Sequence, residues 1–209
     1  MPWPKLACAL PCALVIAAAA GELRAQDLTV EIHTGVAVSS RLAREPEAAG
    51  GGGDAATLSP APAPVLGLAV RTPLRPRLEL EAAADWTPTR LEGSVAGAEW
   101  TAHDLSVVHG IVALRRLLGE RYFVQGGIGA IHYSAPAEGL FRDGGTTAPV
   151  AEAAGGGEWQ IGGRLRLVAR LWAQYHRFGT AALREAGGED GGVARAGIRF
   201  GAAFAEARP

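Results

Sequence analysis

Cysteine is nearly missing from this chain. Two of 209 residues are cysteine, Cys8 and Cys12, and both lie in the first dozen. If the N-terminal segment is removed, neither a disulfide framework nor a thiol catalyst remains. An excess of charge of one sign is also missing. Twenty lysines and arginines stand against 21 aspartates and glutamates, for a formal net charge of −1. No electrostatic footprint for nucleic acid results. Beyond residue 26 no apolar run approaches the ~18 residues that a transmembrane helix needs. The five histidines, His33, His103, His109, His132 and His176, show no metal-ligand spacing. Gly126, Gly127 and Gly129 lack the strand-turn-helix setting and the lysine of a phosphate loop. No metal or other cofactor is expected.

What is abundant is glycine, at 29 residues, with 13 prolines, more than a helical protein carries. The first residues have the layout of an export signal. Lys5 supplies a positive charge, Leu6 to Ala20 is apolar, and small residues follow. We expect residues 1–26 to be a signal peptide, cut between Ala20 and Gln26, with a retained anchor as the alternative. Leu10-Pro11-Cys12 is a poor lipidation site. The body of the protein is then residues 27–204, with 205–209 as a short tail.

Periodicity within that body is two. From Arg164 to His176, Leu165, Leu167, Ala169, Leu171, Ala173 and Tyr175 occupy one register. Arg164, Arg166, Val168, Arg170, Trp172, Gln174 and His176 occupy the other. Strand side chains alternate between faces, so this is a strand with one apolar and one largely polar face. A helical stripe through Leu165, Val168, Trp172 and Tyr175 leaves Leu167 and Leu171 out. Thirteen residues exceed the ~9–11 that a tilted strand needs to cross a bilayer.

The same reading along the chain predicts eight strands: 28–38, 65–72, 77–86, 101–114, 122–134, 149–161, 164–176 and 193–204. Ser39 to Pro64, rich in Gly, Ser and Pro, is expected to be a mobile loop. Further long connections run over 87–100, 135–148 and 177–191. Short ones run over 73–76, 115–121 and Gly162-Gly163. Long and short connections alternate, so an up-and-down barrel gathers every long one at a single rim. Outer-membrane barrels have this asymmetry, with short periplasmic turns and longer extracellular loops. The expected fold class is therefore all-β: an eight-stranded antiparallel up-and-down transmembrane β-barrel.

With the apolar registers turned to lipid, the inward registers hold Glu31, Glu79, Glu81, Asp85, Glu152 and Glu158. They also hold Arg164, Arg166, Arg170, Arg195 and Arg199. Eight strands leave a lumen just wide enough for side chains to fill, and near-balanced charges can pair there. Such pairs form a plug, or else a gate or narrow pore. Trp86, Trp100, Tyr133, Tyr175 and Phe178 near the long loops, and Tyr122, Trp159 and Phe204 near the short turns, are expected as aromatic girdles. Alternation alone also fits the reverse arrangement, a soluble periplasmic lipocalin-like barrel with its apolar registers inward around a small hydrophobic ligand.

On these features the stretch from Leu28 to Phe204 resembles the small outer-membrane β-barrels of the OmpA/OmpX type. The resemblance implies residence in the outer membrane of a Gram-negative envelope. It also implies contact with outer-membrane lipid, and a final strand, Val193 to Phe204, shown to the barrel-assembly machinery. Here Phe204 is followed by Ala205 to Pro209, whereas that family usually ends on the aromatic. A structural or surface-interaction role without enzymatic activity is expected, and a monomer, since a closed barrel has no edge that demands a partner. One tripeptide, His132-Tyr133-Ser134, places a histidine and a serine on one strand face. It resembles the His-x-Ser pair of the outer-membrane lipid A 3-O-deacylases. That resemblance implies Ser134 as nucleophile, His132 as base and Glu138 or another acid as the orienting group, although Ala135 replaces the usual asparagine.

Overall fold

The computed structural model describes residues 28–44, 57–95, 98–136, 141, 145–185 and 191–205. Ten strands form a single antiparallel sheet. They are β1 (Thr29–Ser39), β2 (Ala43–Arg44), β3 (Thr57–Pro60), β4 (Ala63–Arg75), β5 (Leu78–Val95), β6 (Ala98–Leu118), β7 (Tyr122–Ser134), β8 (Thr146–Gly162), β9 (Leu165–Phe178) and β10 (Gly191–Ala205). A one-turn helix, α1 (Ala181–Glu185), follows β9. Eight of the strands, β1 and β4 to β10, are staves of a closed barrel: β1 pairs with both β4 and β10, and β5 pairs with β6. The short β2 and β3 extend the sheet beside the long-loop end of β5.

The register fixes the barrel's shape. One hydrogen-bonded row runs Thr29, Arg71, Glu81, Ala113, Gly127, Glu152, Gln174, Arg195 and back to β1 at Ser39. The row therefore returns ten residues further along β1 than it began, Thr29 against Ser39. With ~3.3 Å of rise per residue and ~4.8 Å between strands, this stagger corresponds to a tilt of about 41°.

Alternation decides the faces, and the apolar register points outward. Ile128 is 74% exposed and Leu171 66%, and Val30, Ile32, Val36, Leu66, Leu68, Val70, Leu114, Val124, Leu167 and Phe200 join them on the outer wall. The inward register holds Glu31, Arg71, Glu81, Asp85, Arg115, Glu152, Arg170 and Arg199, all buried. The lipocalin-like arrangement is thereby overturned: its ligand would have to sit among charges while a wall of leucine, valine and isoleucine faced water.

Several strands run longer than their alternation suggests. The expected connection over 87–100 is mostly strand, because β5 and β6 stay paired from Leu78↔Arg116 to Val95↔Ala98. The expected turn over 115–121 shrinks to a tight link around Gly119, since β6 runs on to Leu118. The described parts of the 39–64 segment also hold structure. β3 lies along β5, and Leu42 is fully buried. Residues 45–56 lie outside the described residues. Two expected girdle aromatics are corrected as well. Tyr133 and Phe178 belong to the inward registers of β7 and β9 and are buried, packed edge-on at 5.2 Å. Trp86, Tyr175, Tyr122, Trp159 and Phe204 do face outward, and Trp86 Nε1 donates to Ser106 Oγ at 2.8 Å.

The interior is layered. Toward the long loops it is apolar: Leu42, Leu91, Leu105, Val107, Ile131, Tyr133, Phe141, Phe178 and Val193 form one buried cluster. Below that cap, toward the short turns, it is charged.

Candidate functional site: the barrel lumen

The lumenal charges form two groups. The lower one surrounds the rows nearest the short turns. Arg170, on β9, holds Glu81 of β5 in a fork, Nη1 to Oε1 at 2.6 Å and Nη2 to Oε2 at 3.0 Å. Its Nη2 also reaches Glu31 of β1 at 3.3 Å. Arg115 donates to Glu79 and to Glu158, both at 2.7 Å. Arg71 pairs with Glu158 and, at 3.2 Å, with Glu31. The Arg115 guanidinium lies 3.7 Å over the Phe123 ring, so an apolar face covers the side of the cation that no carboxylate meets. Gln125 donates to Glu81 at 2.9 Å and supplies a neutral partner.

The upper group is centred on Arg199 of β10, whose Nη2 lies 2.6 Å from Asp85 and 3.1 Å from Glu152. His33 Nε2 is 2.6 Å from Asp85 Oδ1, and its Nδ1 is 3.4 Å from Glu31. His109 Nε2 lies 3.2 Å from the other Asp85 oxygen. Glu31 therefore links the two groups. Arg199 stacks 4.5 Å from the Trp172 ring. Above it Arg195 meets only neutral acceptors among the contacts of the described residues, Ser39 Oγ at 3.2 Å, Gln174 Oε1 at 3.3 Å and Thr87 Oγ1 at 3.3 Å. Gln174 passes the link downward by donating to Glu152 at 2.8 Å.

One missing side chain makes the upper group possible. His33, Gly67 and Asp85 lie in one row across β1, β4 and β5. A Cβ on Gly67 would collide with both Asp85 Oδ1 and His33 Nε2. Glycine in a strand marks a close approach of this kind, and here the approach is between two side chains that reach across it.

No protein-family profile matches this chain, and no curated protein matches it either. Solved structures do match in shape. The crystal structure of Neisserial surface protein A (NspA) aligns with a TM-score of 0.54 at 9% identity, over 85% of this chain and 96% of that one. The solid-state NMR structure of the outer membrane protein AlkL in DMPC lipid bilayers aligns with a TM-score of 0.51 at 13% identity, over 86% and 90%. OprG from Pseudomonas aeruginosa aligns at 0.49 and 13%, over 86% and 96%. The fold is that of the small eight-stranded outer-membrane β-barrels.

On such a barrel the sequence-predicted residues sort by height and face. Glu31, Glu79, Glu81, Asp85, Glu152 and Glu158 all point into the lumen, Glu79 being half-buried at the lower mouth. Arg170, Arg195 and Arg199 are buried among them. Arg166 is half-exposed at the same mouth, 3.5 Å from Glu158. Arg164 departs from the expectation. It sits in the Gly163-Arg164 turn, exposed below the barrel wall, because β9 begins one residue later than its alternation suggests.

The alternation reading missed Arg71, Arg115, His33, His109, Gln125 and Gln174 as partners in the lumen. The parity of Leu66, Leu68 and Val70, all outward, would have found Arg71. Arg115 is hidden by reading 115–121 as a turn.

His132 points outward from β7 near the long-loop rim, with Nδ1 2.8 Å from Thr147 Oγ1. Ser134 lies on the same face, half-buried, opposite Ser106. Glu138 lies outside the described residues.

Proposed function

We propose that the protein is an integral outer-membrane barrel without enzymatic activity. In this reading its lumen is plugged by its own charge pairs, and its long-loop rim faces the outside as a surface for interaction. The observation that carries the membrane part is the outer wall. Its exposed leucines, valines, isoleucines and aromatics encircle a closed ladder, and closure leaves no unpaired strand edge for lipid to solvate. The plug is supported by the two-layer filling. Arg71, Arg115, Arg170 and Arg199 bridge carboxylates from opposite walls, and the apolar cap from Leu42 to Val193 lies above them.

Isolated charges could not stay ionised in so narrow and water-poor a space. Paired and hydrogen-bonded charges can. Strand β10, with Phe204 as its penultimate residue, would be presented to the barrel-assembly machinery during biogenesis.

Single-channel recording on the folded protein in a planar bilayer tests the plug. The expected record is a flat baseline without steady conductance. A stable, cation- or anion-selective current would replace the plug with a pore.

A further inference from the structure

The short-turn rim carries a collar of exposed arginines. Arg75 ends β4 and Arg77 stands in the β4–β5 turn, Arg116 lies near the end of β6 and Arg121 in the β6–β7 turn, and Arg164 lies in the β8–β9 turn. All five are exposed, and among the described residues none is ion-paired. Glu120 is the one exposed acid among the described residues of that rim.

Two of these positions hold arginine against local preference. Arg77 follows Pro76 with a φ of 64°, the left-handed conformation in which the third residue of a type II turn favours glycine. Arg116 points outward between Leu114 and Leu118 on its own strand, opposite Leu78 and Val124 on the neighbouring strands. A guanidinium in that patch lies on the apolar wall, with its head free to reach past the edge of that wall.

We infer that this collar binds the phosphates of anionic phospholipid headgroups in the periplasmic leaflet. The inference rests on the reading of the chain as an outer-membrane barrel. Its own warrant is the juxtaposition at the rim. Leu74, Leu118, Tyr122, Trp159 and Ile161 offer apolar contact for acyl chains, and the arginines lie directly along their lower border. Apolar surface bordered by cations matches the two halves of a phospholipid. Guanidinium forks pair with phosphate oxygens in bidentate geometry, and basic residues near an anionic membrane surface attract it.

The test uses the whole protein, refolded into vesicles of phosphatidylcholine and into vesicles in which roughly a third of the lipid is phosphatidylglycerol. Spin-labelled lipids of the two headgroup classes report which lipid is held at the protein surface. We expect phosphatidylglycerol to be selected about fivefold or more over phosphatidylcholine. Selection should fall steeply as salt is raised and should disappear in the variant carrying R75Q, R77Q, R116Q, R121Q and R164Q. Should that variant not fold, the R116Q and R164Q single variants and the salt titration of the unaltered protein carry the test. Equal retention of the two lipids by the unaltered protein overturns the inference, as does selection that survives the substitutions. Failure of the unaltered protein to give a heat-modifiable folded band in either vesicle overturns the outer-membrane reading itself, and the collar's role with it.

Discussion

At the scale of single residues, the lumen is a set of charges that are stable only together. Removing one partner of a buried pair leaves the other uncompensated in a poorly solvated space, at a cost of ~3–5 kcal/mol. Arg170 meets both Glu81 and Glu31, so Arg170→Met should destabilise the folded barrel by about that much. Urea unfolding in lipid vesicles would measure it, and an unchanged midpoint would show that the pairs contribute little. Gly67→Ala should also destabilise, by about 1–3 kcal/mol, because the new methyl would push His33 away from Asp85. The same unfolding assay reads that loss. On the outer face, Ser134→Ala should leave lipid A acyl release at the background of the unaltered protein. Release by the unaltered protein that the variant abolishes would make the His132–Ser134 pair a catalytic one.

At the scale of elements, alternation is legible where the two faces of a strand differ sharply in chemistry. In β9 leucines alternate with arginines, and the faces read directly. In β6 they do not, because its inward residues Leu105, Val107, Ile111 and Ala113 are themselves buried in the apolar interior while Leu114 and Leu118 face lipid. A strand that is apolar on both sides loses its period. The same layering explains Tyr133 and Phe178, which look like girdle residues by position but belong by parity to the inside.

Turn ends are less legible than strand faces. Nothing local distinguishes Arg115, on the strand, from Arg121, in the turn, or Arg164 from Arg166. Cross-strand pairing decides them, and that is a long-range property.

The outward parity has its own test. Ile128 is the most exposed of the large apolar residues described and lies in the middle of β7. Ile128→Arg should cost about 2–4 kcal/mol of folded stability in vesicles, as a cation held near the middle of the bilayer does. Ile128→Leu should cost little. Equal tolerance of both substitutions would place that wall in water.

At the scale of the whole molecule, the barrel is defined by closure and by the side of its wall that is apolar. Closure comes from the β1–β10 and β5–β6 pairings. The stagger of ten residues in one circuit sets a tilt that brings Arg and Glu from distant strands to matching heights. A closed ladder needs no partner to complete its sheet. Its two rims differ, with long connections at one end and exposed arginines at the other.

The most direct test of this account is to fractionate cells that make the full-length chain, and then run the membrane pellet on a gel with and without heating. The account predicts recovery with the outer membrane and a faster-migrating band in the unheated sample, the mark of a closed barrel that detergent does not open. Recovery in the soluble periplasm, with no heat-dependent shift, would contradict it.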